Sequence, residues 1–453
     1  RSYSVTGVQT CALPISLQSA QQPQALRSLA EQYDDLSLAW NWALQHRQTQ
    51  HLLQLGGALV PFWWLRGRSF EGVQQLAPVL AAWPEAGPLR AQLCLWQAQL
   101  FSALDRYSDA HPLIEAALAM VEPFQLWRLR APLLSLSATV AWIQGDYETA
   151  ETLLLQSLEQ ARQVGDRATE LQAMDGLGRH AWSRGQYAQA QEYYELALKQ
   201  AREIGMPIQV AGLLDNLGVV MRDQHQFELA RTYLEESLQC LRSLGVERQM
   251  PFVLNHLGGV LMYLGNFDIA QQMLDESIQL GRKIGDLRIV GYSILDRIEI
   301  GWDRPPLSTA WLEESVQQAH EAMEIFTRVD EPFAISLVWG CMARLHSLLG
   351  QRRPSVEAIL NAIGYFERIG HAHNSAHVWV ALTELLSEQQ PLAVVELRAA
   401  LERVFLHFSD AQMPELKLPP GLDEEQERAA EQRGAALDLP GLLVRVRTWL
   451  AAE

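Results

Sequence analysis

The chain of 453 residues is poor in cysteine, has no long hydrophobic run and carries fewer basic than acidic residues. Its four scattered cysteines exclude a secreted disulfide scaffold and a cysteine-ligated zinc site. Because no run of about 18 apolar residues occurs, we expect no transmembrane helix and no membrane contact. Lys and Arg number 36 against 53 Asp and Glu, and the resulting charge of −17 argues against direct nucleic-acid contact by this segment.

Motifs that carry chemistry are also scarce. No G-x4-G-K-[ST] loop is present, so no residue set here predicts a triphosphate site. The sequence HEAME at His320 lacks the second histidine of a zinc-protease helix, and His371, His373 and His377 have no acidic third ligand nearby. We therefore predict that the chain is not an enzyme and holds no metal or cofactor. Three cysteines lie at apolar positions and are interpreted as small core residues, namely Cys94, Cys240 and Cys341.

The first sixteen residues differ from the remainder of the chain. RSYSVTGVQTCALPIS, residues 1–16, resembles the translation of sequencing-adaptor read-through at the end of an assembled reading frame. A secretory signal is the alternative, but one arginine and about five apolar residues are too short for it. We expect this segment to be non-native, the protein to be cytoplasmic, and its sequence to continue upstream of Leu17.

An internal repeat of forty residues organises the chain. Each unit has an aromatic residue at the same position: Tyr107, Tyr147, Tyr187, Phe227 and Phe267. An alanine follows three positions later: Ala110, Ala150, Ala190, Ala230 and Ala270. A glycine closes four of the units: Gly165, Gly205, Gly245 and Gly285. The phase shifts once, near residues 302–308, and resumes with Gly350 and Gly370.

Each unit is predicted to form two helices joined by a tight turn. Apolar residues recur at three- and four-residue spacings on both sides of the Gly-x-aromatic turn, which indicates amphipathic helices. No alternating β pattern occurs, so the predicted fold class is all-α. An arginine column stands near the end of each second helix, where a cation complements the helix dipole: Arg162, Arg202, Arg242 and Arg282. We interpret that column as structural rather than as a ligand clamp.

The pattern resembles the tetratricopeptide repeat. The first-helix motif appears as Met174-x2-Leu177-Gly178 and as the same spacing ending at Gly218 and Gly258. The resemblance covers roughly residues 52–390, although the period is forty rather than about 34, as in the longer repeats of the maltose-activator type. It implies a right-handed superhelical α-solenoid of about nine helical hairpins, with a protein or peptide partner lying along a concave face lined by the first helices.

The ends of the chain resemble a group of bacterial regulators. Residues 31–72 are similar to the junction at which an ATPase and a winged helix lead into such repeats in LuxR-type and predicted-ATPase regulators. The matching positions are Glu31, Asp34, Asp35, Leu36, Trp40, Ala43, Leu44, Phe62, Trp63, Arg66 and Gly67. Residues 425–450 are similar to the closing segment of the same group. The resemblance implies the C-terminal arm of a truncated signal-responsive ATPase transcriptional regulator with an upstream ATPase and winged-helix module; a free-standing scaffold protein is the alternative.

The predicted organisation follows from these patterns. Residues 1–16 are non-native, residues 17–51 form a helical linker, residues 52–390 form the repeat array, and residues 391–453 form a helical cap. A proline-containing linker is expected near residues 415–424 within the cap.

Candidate binding residues are those that helical spacing places on the concave face. They are Asp175, Arg179, Trp182, Asp215, Asn216, Arg222, Asp223, Asn255, His256, Met262 and Tyr263. Carboxylate, amide, guanidinium and aromatic groups in this mixture suit an extended peptide or a protein helix. The alternative is that the polar residues bridge neighbouring units. For Trp142 and Trp182 we favour core packing against neighbouring helices over ligand contact.

Overall fold

The computed structural model describes residues 22–302, 307–369, 376–387, 389–405, 416, 418–420 and 422–451. Within these ranges the regular structure consists of 22 α-helices and contains no strand. They are, in chain order, α1 (Gln22–Glu31), α2 (Tyr33–Gln45), α3 (Thr49–Leu65), α4 (Ser69–Ala82), α5 (Pro88–Ser102), α6 (Tyr107–Val121), α7 (Trp127–Ile143), α8 (Tyr147–Val164), α9 (Arg167–Ser183), α10 (Tyr187–Ile204), α11 (Pro207–Asp223), α12 (Phe227–Leu244), α13 (Met250–Tyr263), α14 (Phe267–Ile284), α15 (Leu287–Trp302), α16 (Thr309–Arg328), α17 (Pro332–Leu348), α18 (Arg352–Ile369), α19 (Ala376–Leu386), α20 (Pro391–Phe405), α21 (Glu424–Ala435) and α22 (Leu439–Ala451). Of these described helices, none is both long and apolar enough to span a bilayer.

The all-α solenoid predicted from the repeat is confirmed, with helices packing on their neighbours in sequence. The chain divides into two compact units, which we call unit 1 (up to Leu257) and unit 2 (from Gly258). From α3 onward we call the odd-numbered helices first helices and the even-numbered helices second helices; α5 and α6, α7 and α8, α9 and α10, and α11 and α12 pack on one another as hairpins.

The turns within the hairpins lie where the sequence pattern places them. Tyr147, Tyr187, Phe227 and Phe267 are the first residues of their second helices. The turn residue two positions earlier has a left-handed backbone, with φ of 81° at Gly145. Glycine adopts that conformation without a Cβ clash, although His225 occupies the same position with φ of 59°. The closing glycines likewise end the second helices with φ between 65° and 77°.

Two columns of small residues allow the helices of one hairpin to pack closely. A Cβ added at Gly218 would lie 2.5 Å from Cγ of Leu234 on the second helix. Gly178 stands equally close to Tyr194. The second column lies later in the second helix and contains serine in some units. Ser237, one of these, donates a hydrogen bond from Oγ to the carbonyl of Ala211 on the first helix at 2.7 Å. The bond satisfies a hydroxyl group that is fully buried between the two helices.

Within the junction segment, residues 31–72, aromatic and charged side chains pack against one another. Trp40 and Trp63 pack edge to face with ring centroids 6.1 Å apart, and both are fully buried. The indole of Trp63 donates to the Tyr33 hydroxyl at 2.9 Å, and that hydroxyl donates to Glu71, which also binds Arg68. Burial, together with the Glu71 carboxylate, raises the pKa of Tyr33. These residues therefore stabilise the start of unit 1.

Arg248 links distant parts of unit 1. It lies in the connection between α12 and α13, and its two Nη atoms donate to the carbonyls of Trp64 at 3.1 Å and Ala103 at 3.0 Å. These carbonyls stand at the C-terminal ends of α3 and α5, where the helix dipole favours a cation. Unit 1 thus curves until the connection between α12 and α13 meets the C-terminal ends of α3 and α5.

The C-terminal helices of unit 2 close around a buried carboxylate. Glu396 in α20 is 3 % exposed and accepts hydrogen bonds from Nε of Arg433 at 3.1 Å and Nε of Arg445 at 2.7 Å. These arginines belong to α21 and α22, so one carboxylate joins three helices. Arg447 forms a second link, a two-bond contact with Glu367 in α18. The Glu396 contacts therefore hold the last three helices together, and the Arg447 contact attaches them to α18.

Candidate functional site

The first helices of unit 1 form one continuous face. α5, α7, α9 and α11 each contact the first helix of the adjoining hairpin, whereas second helices mainly contact first helices. Helices that lie closer together line the inner side of a curved stack, so the first helices form the concave face of unit 1. The candidate residues on α9 and α11 belong to this face.

Three hydrogen bonds connect the candidate residues across neighbouring first helices, each between residues 41 positions apart. Asn216 donates from Nδ2 to Asp175 Oδ1 at 2.7 Å. The indole of Trp182 donates to Asp223 Oδ2 at 2.7 Å. His256 Nδ1 lies 2.8 Å from Asp215 Oδ1. We call this set the polar ladder, and its members are Asp175, Trp182, Asp215, Asn216, Asp223 and His256.

Two guanidinium groups lie beside the polar ladder. Arg179 Nε stands 3.3 Å from Asp175 Oδ2, and the Arg179 side chain is 55 % exposed. The Asp175 carboxylate raises the pKa of Arg179. Arg222 donates from Nε to Asp223 Oδ1 at 2.8 Å and is half-buried. Each arginine is therefore oriented by an aspartate, while part of its guanidinium faces solvent.

The other candidate residues differ in exposure. Asn255 in unit 1 is 8 % exposed, whereas in unit 2 Met262 is half-buried and Tyr263 is 57 % exposed. The preference for core packing of the tryptophans is wrong for Trp142, which is 38 % exposed and packs edge-on against Tyr147. It holds only partly for Trp182, which is half-buried and hydrogen-bonded within the polar ladder.

Tyr194 supports this face from below, and the sequence pattern did not single it out. It projects from the second helix α10 beneath Gly178, and it is 2 % exposed. Burial raises its pKa, and the nearby carboxylates of Asp175 and Asp215 raise it further. The forty-residue period could have identified Tyr194 as a core residue, because the equivalent positions in neighbouring units hold the aliphatic residues Leu154 and Leu234.

The arginine column has the predicted structural role. Arg162, Arg202 and Arg282 stand in the last turns of their helices, where we expected cations. Arg162 pairs with Glu170 of the following hairpin at 2.9 Å, and Arg202 pairs with Glu236 at 2.6 Å. The pKa of Glu170 is lowered: its burial opposes the shift, but hydrogen bonds from Arg162 and Gln200 outweigh it. The column therefore ties successive hairpins together.

The residues considered for metal or thiol chemistry have structural contacts where they are described. His371 and His373 lie outside the described residues, whereas His377 contacts Glu299 at 2.9 Å. Among the described residues, no group of three metal-ligating side chains is found. Cys94 and Cys341 are buried as predicted, and burial raises the pKa of both thiols; Cys240 is only half-buried.

Comparison with known proteins identifies the repeat. Residues 129–203, 210–245 and 253–284, together about a third of the chain, match tetratricopeptide repeat profiles. A comparison with curated proteins returns no match. The tetratricopeptide resemblance is confirmed by these matches and by the helical architecture.

Solved structures of low sequence identity share the fold. One is a STAND protein (Signal Transduction ATPase with Numerous Domains) from Pyrococcus horikoshii, which has a tetratricopeptide repeat sensor. It aligns with a TM-score of 0.52 at 15 % identity. The alignment covers 73 % of this chain and 52 % of that one, so it spans about half of the ATPase. The quorum sensor NprR from B. thuringiensis aligns with a TM-score of 0.53 at 14 % identity, over 74 % of this chain and 99 % of that one. A Rap protein complexed with competence and sporulation factor aligns with a TM-score of 0.52 at 12 % identity, over 81 % and 99 %.

Proposed function

We propose that this tetratricopeptide-repeat chain is a non-catalytic binding module that takes up a peptide or protein segment along the first-helix face of unit 1. Tetratricopeptide repeats are protein-interaction modules, and the polar ladder is the observation that carries the proposal. Its hydrogen bonds hold the side chains of the face in place before a partner arrives. A partner then loses less free energy to side-chain ordering, which favours binding.

Arg179 and Arg222 are the proposed anchors for the partner. Both are oriented by aspartates, and each keeps guanidinium donors turned to solvent. Such donors bind carboxylates with charge-assisted hydrogen bonds, which contribute roughly 1.5–3 kcal/mol each. We therefore expect the partner segment to contain acidic side chains, with its main-chain groups bonded by the amide and carboxylate groups of the polar ladder.

The test is a selection of short linear peptides displayed on phage against the purified chain. Dissociation constants of the selected, fluorescently labelled peptides are then compared between wild type and the Arg179→Glu, Arg222→Glu double variant. We expect the variant to bind at least about tenfold more weakly, because two attractive contacts become repulsive. The matched control is the Lys199→Glu, Arg231→Glu double variant, because both cations lie on second helices and Arg231 pairs with carboxylates of its own helix in the described part of the chain. Equal weakening in both variants, or none in either, contradicts the assignment of the face.

We also propose that the module is the sensor arm of a cytoplasmic, signal-responsive ATPase regulator. Two observations support this: the resemblance of residues 31–72 to the regulator junction, and the fold shared with a signal transduction ATPase that carries a tetratricopeptide repeat sensor. The alternative is a free-standing scaffold. The genomic reading frame upstream of Leu17 distinguishes them, because a P-loop and winged helix there support the regulator and a nearby start codon contradicts it.

A further inference from the structure

A second group of polar side chains lies on the first helices of unit 2. Glu299 and Trp302 belong to the last turn of α15, Arg344 to α17 and His377 to α19. The middle helix α17 contacts both α15 and α19, so three successive first helices contribute to one group. We call these four residues the Arg344 cluster.

Aromatic packing orients the guanidinium of Arg344. Its Cζ lies 4.4 Å above the ring of Trp302, and the Trp302 and His377 rings pack edge to face with centroids 4.3 Å apart. His377 lies between two partners, with Nε2 2.9 Å from Glu299 Oε1 and Nδ1 3.4 Å from Arg344 Nη1. A neutral histidine that donates from Nε2 and accepts at Nδ1 satisfies both contacts.

Two hydrogen-bond donors of the cluster are left unused. Nε of Arg344 and Nε1 of Trp302 are buried and bond to no acceptor in the described part of the chain. Trp302 itself is 9 % exposed. No ion pair joins Arg344 to a carboxylate in the described part of the chain, and Glu299 contacts His377. A buried donor without an acceptor costs roughly 1–3 kcal/mol, so an arrangement with two of them needs an explanation.

We propose that the Arg344 cluster binds a carboxylate group of a peptide or protein segment. The planar guanidinium, held over the Trp302 ring, has parallel N–H donors that match the two oxygens of a carboxylate. The indole N–H of Trp302 is a further donor of the cluster without an acceptor among the described residues. A bound carboxylate supplies the acceptors that these groups lack, and it neutralises a half-buried cation.

The charge of the cluster favours a carboxylate over a phosphate. Arg344 contributes one positive charge and Glu299 one negative charge, so the cluster is close to neutral before a ligand binds. A carboxylate adds a single negative charge opposite the guanidinium, whereas phosphate brings about two charges close to Glu299. The carboxylate can come from a C-terminus or from an acidic side chain, and the experiment separates these sources.

The experiment uses the full chain labelled with 5-fluorotryptophan and observed by fluorine NMR. The Trp302 signal is assigned among the 14 tryptophans by its loss in Trp302→Phe. N-acetylglycine represents a C-terminal carboxylate, and N-acetylaspartate α-methylamide represents an acidic side chain. We expect a saturable shift of the Trp302 signal with at least one of them, and the tighter probe identifies the source. N-acetylglycinamide, which has no charge, is expected to cause no shift.

Variants show whether Arg344 is responsible. Arg344→Gln is expected to weaken the carboxylate probe at least about tenfold, whereas Arg353→Gln, an exposed arginine on α18, leaves its affinity unchanged. Arg344→Lys retains the charge without the planar donors and is expected to bind with intermediate affinity, which keeps the test valid if Arg344→Gln does not fold. Equal shifts with the neutral amide, equal or tighter binding of inorganic phosphate, or unchanged affinity in both Arg344 variants overturns the proposal. The probes and variants address unit 2 residues alone, so the result is independent of the polar ladder.

Discussion

Asn216 donates a hydrogen bond of 2.7 Å to Asp175, and this bond joins the first helices of two neighbouring hairpins. Asp175 uses its other oxygen to hold Arg179 at 3.3 Å. The same carboxylate therefore connects the helices and orients a guanidinium that faces solvent. The binding that we propose for the first-helix face is consequently linked to the stability of unit 1, and substitution of the Asn216 amide tests that link.

Replacing Asn216 with aspartate places a second carboxylate against Asp175. We expect Asn216→Asp to lower the stability of unit 1 by about 1–3 kcal/mol near neutral pH, because a hydrogen bond becomes a like-charge contact. The loss is expected to be smaller at about pH 4 than at neutral pH, because acid reduces the repulsion between two carboxylates in contact. Urea denaturation midpoints at both pH values measure this. Gln172→Glu on the exposed side of α9 carries the same charge change and is expected to alter the midpoint little.

Replacing Gly218 with alanine tests the close packing within a hairpin. The new Cβ would lie 2.5 Å from Leu234, so Leu234 or the helix must shift, and we expect a loss of about 1–3 kcal/mol. Gly212 lies in the same helix with no atom near its would-be Cβ. Gly212→Ala is therefore expected to be neutral or to stabilise by up to about 1 kcal/mol. Thermal denaturation of both variants provides the comparison, and equal effects would contradict the packing argument.

The repeat made the hairpins predictable, because each column reports one backbone requirement. Gly165 and Tyr147 mark positions at which every unit needs the same turn and the same packing. Bridging of neighbouring units by polar residues was the alternative that the sequence offered for the candidate residues, but the pairs that form the polar ladder could not be predicted in this way. They join residues such as Asp215 and His256, whose identities vary between units and whose pairing depends on side-chain conformation in neighbouring hairpins. Arg248 belongs to no column, and its contacts arise only from the curvature of unit 1.

The contact between Glu367 and Arg447 is expected to depend on pH. Two hydrogen bonds from Arg447 lower the pKa of Glu367 below its ordinary value near 4.5. A carboxyl group with a lowered pKa in the folded state contributes stability above its unfolded pKa, and that contribution is lost as the pH falls through the folded value. Hydrogen exchange of α22 in the wild type should therefore accelerate between about pH 5 and pH 3 after correction for intrinsic rates. The pair is partly exposed, so the change is expected to be small.

The variant Glu367→Gln isolates this effect from general acid destabilisation. Glutamine does not titrate, so we expect the variant to exchange faster than wild type at neutral pH and to differ less from it at about pH 3. A constant difference between the two proteins across the pH range would show that the ion pair does not carry the dependence.

Glu396 holds the C-terminal helices more strongly, because it is the buried member of its cluster. Glu396→Gln leaves Arg433 and Arg445 without a charged acceptor, and removal of one partner from a buried ion pair costs about 3–5 kcal/mol. Both arginines are more than a third exposed, so water compensates for part of the loss and we expect about 1–3 kcal/mol. Limited proteolysis should then cleave α21 and α22 faster. Glu402→Gln, an exposed carboxylate of α20, is the control and is expected to leave the cleavage rate unchanged.

Arg248 is expected to maintain the curvature of unit 1. Arg248→Ala removes the hydrogen bonds from the guanidinium to the carbonyls of Trp64 and Ala103 at the ends of α3 and α5. We expect hydrogen exchange in residues 64–69 and 103–107 to accelerate about five- to tenfold, equivalent to roughly 1 kcal/mol of local stability. Arg248→Lys retains a positive charge near the two helix C-termini but lacks the paired Nη donors of the guanidinium. It should therefore accelerate exchange less than Arg248→Ala does. Because the first helices line the inner side of this curve, the same variant should also weaken peptides selected against unit 1. Unchanged exchange together with unchanged affinity would mean that the hairpin packing alone sets the curvature.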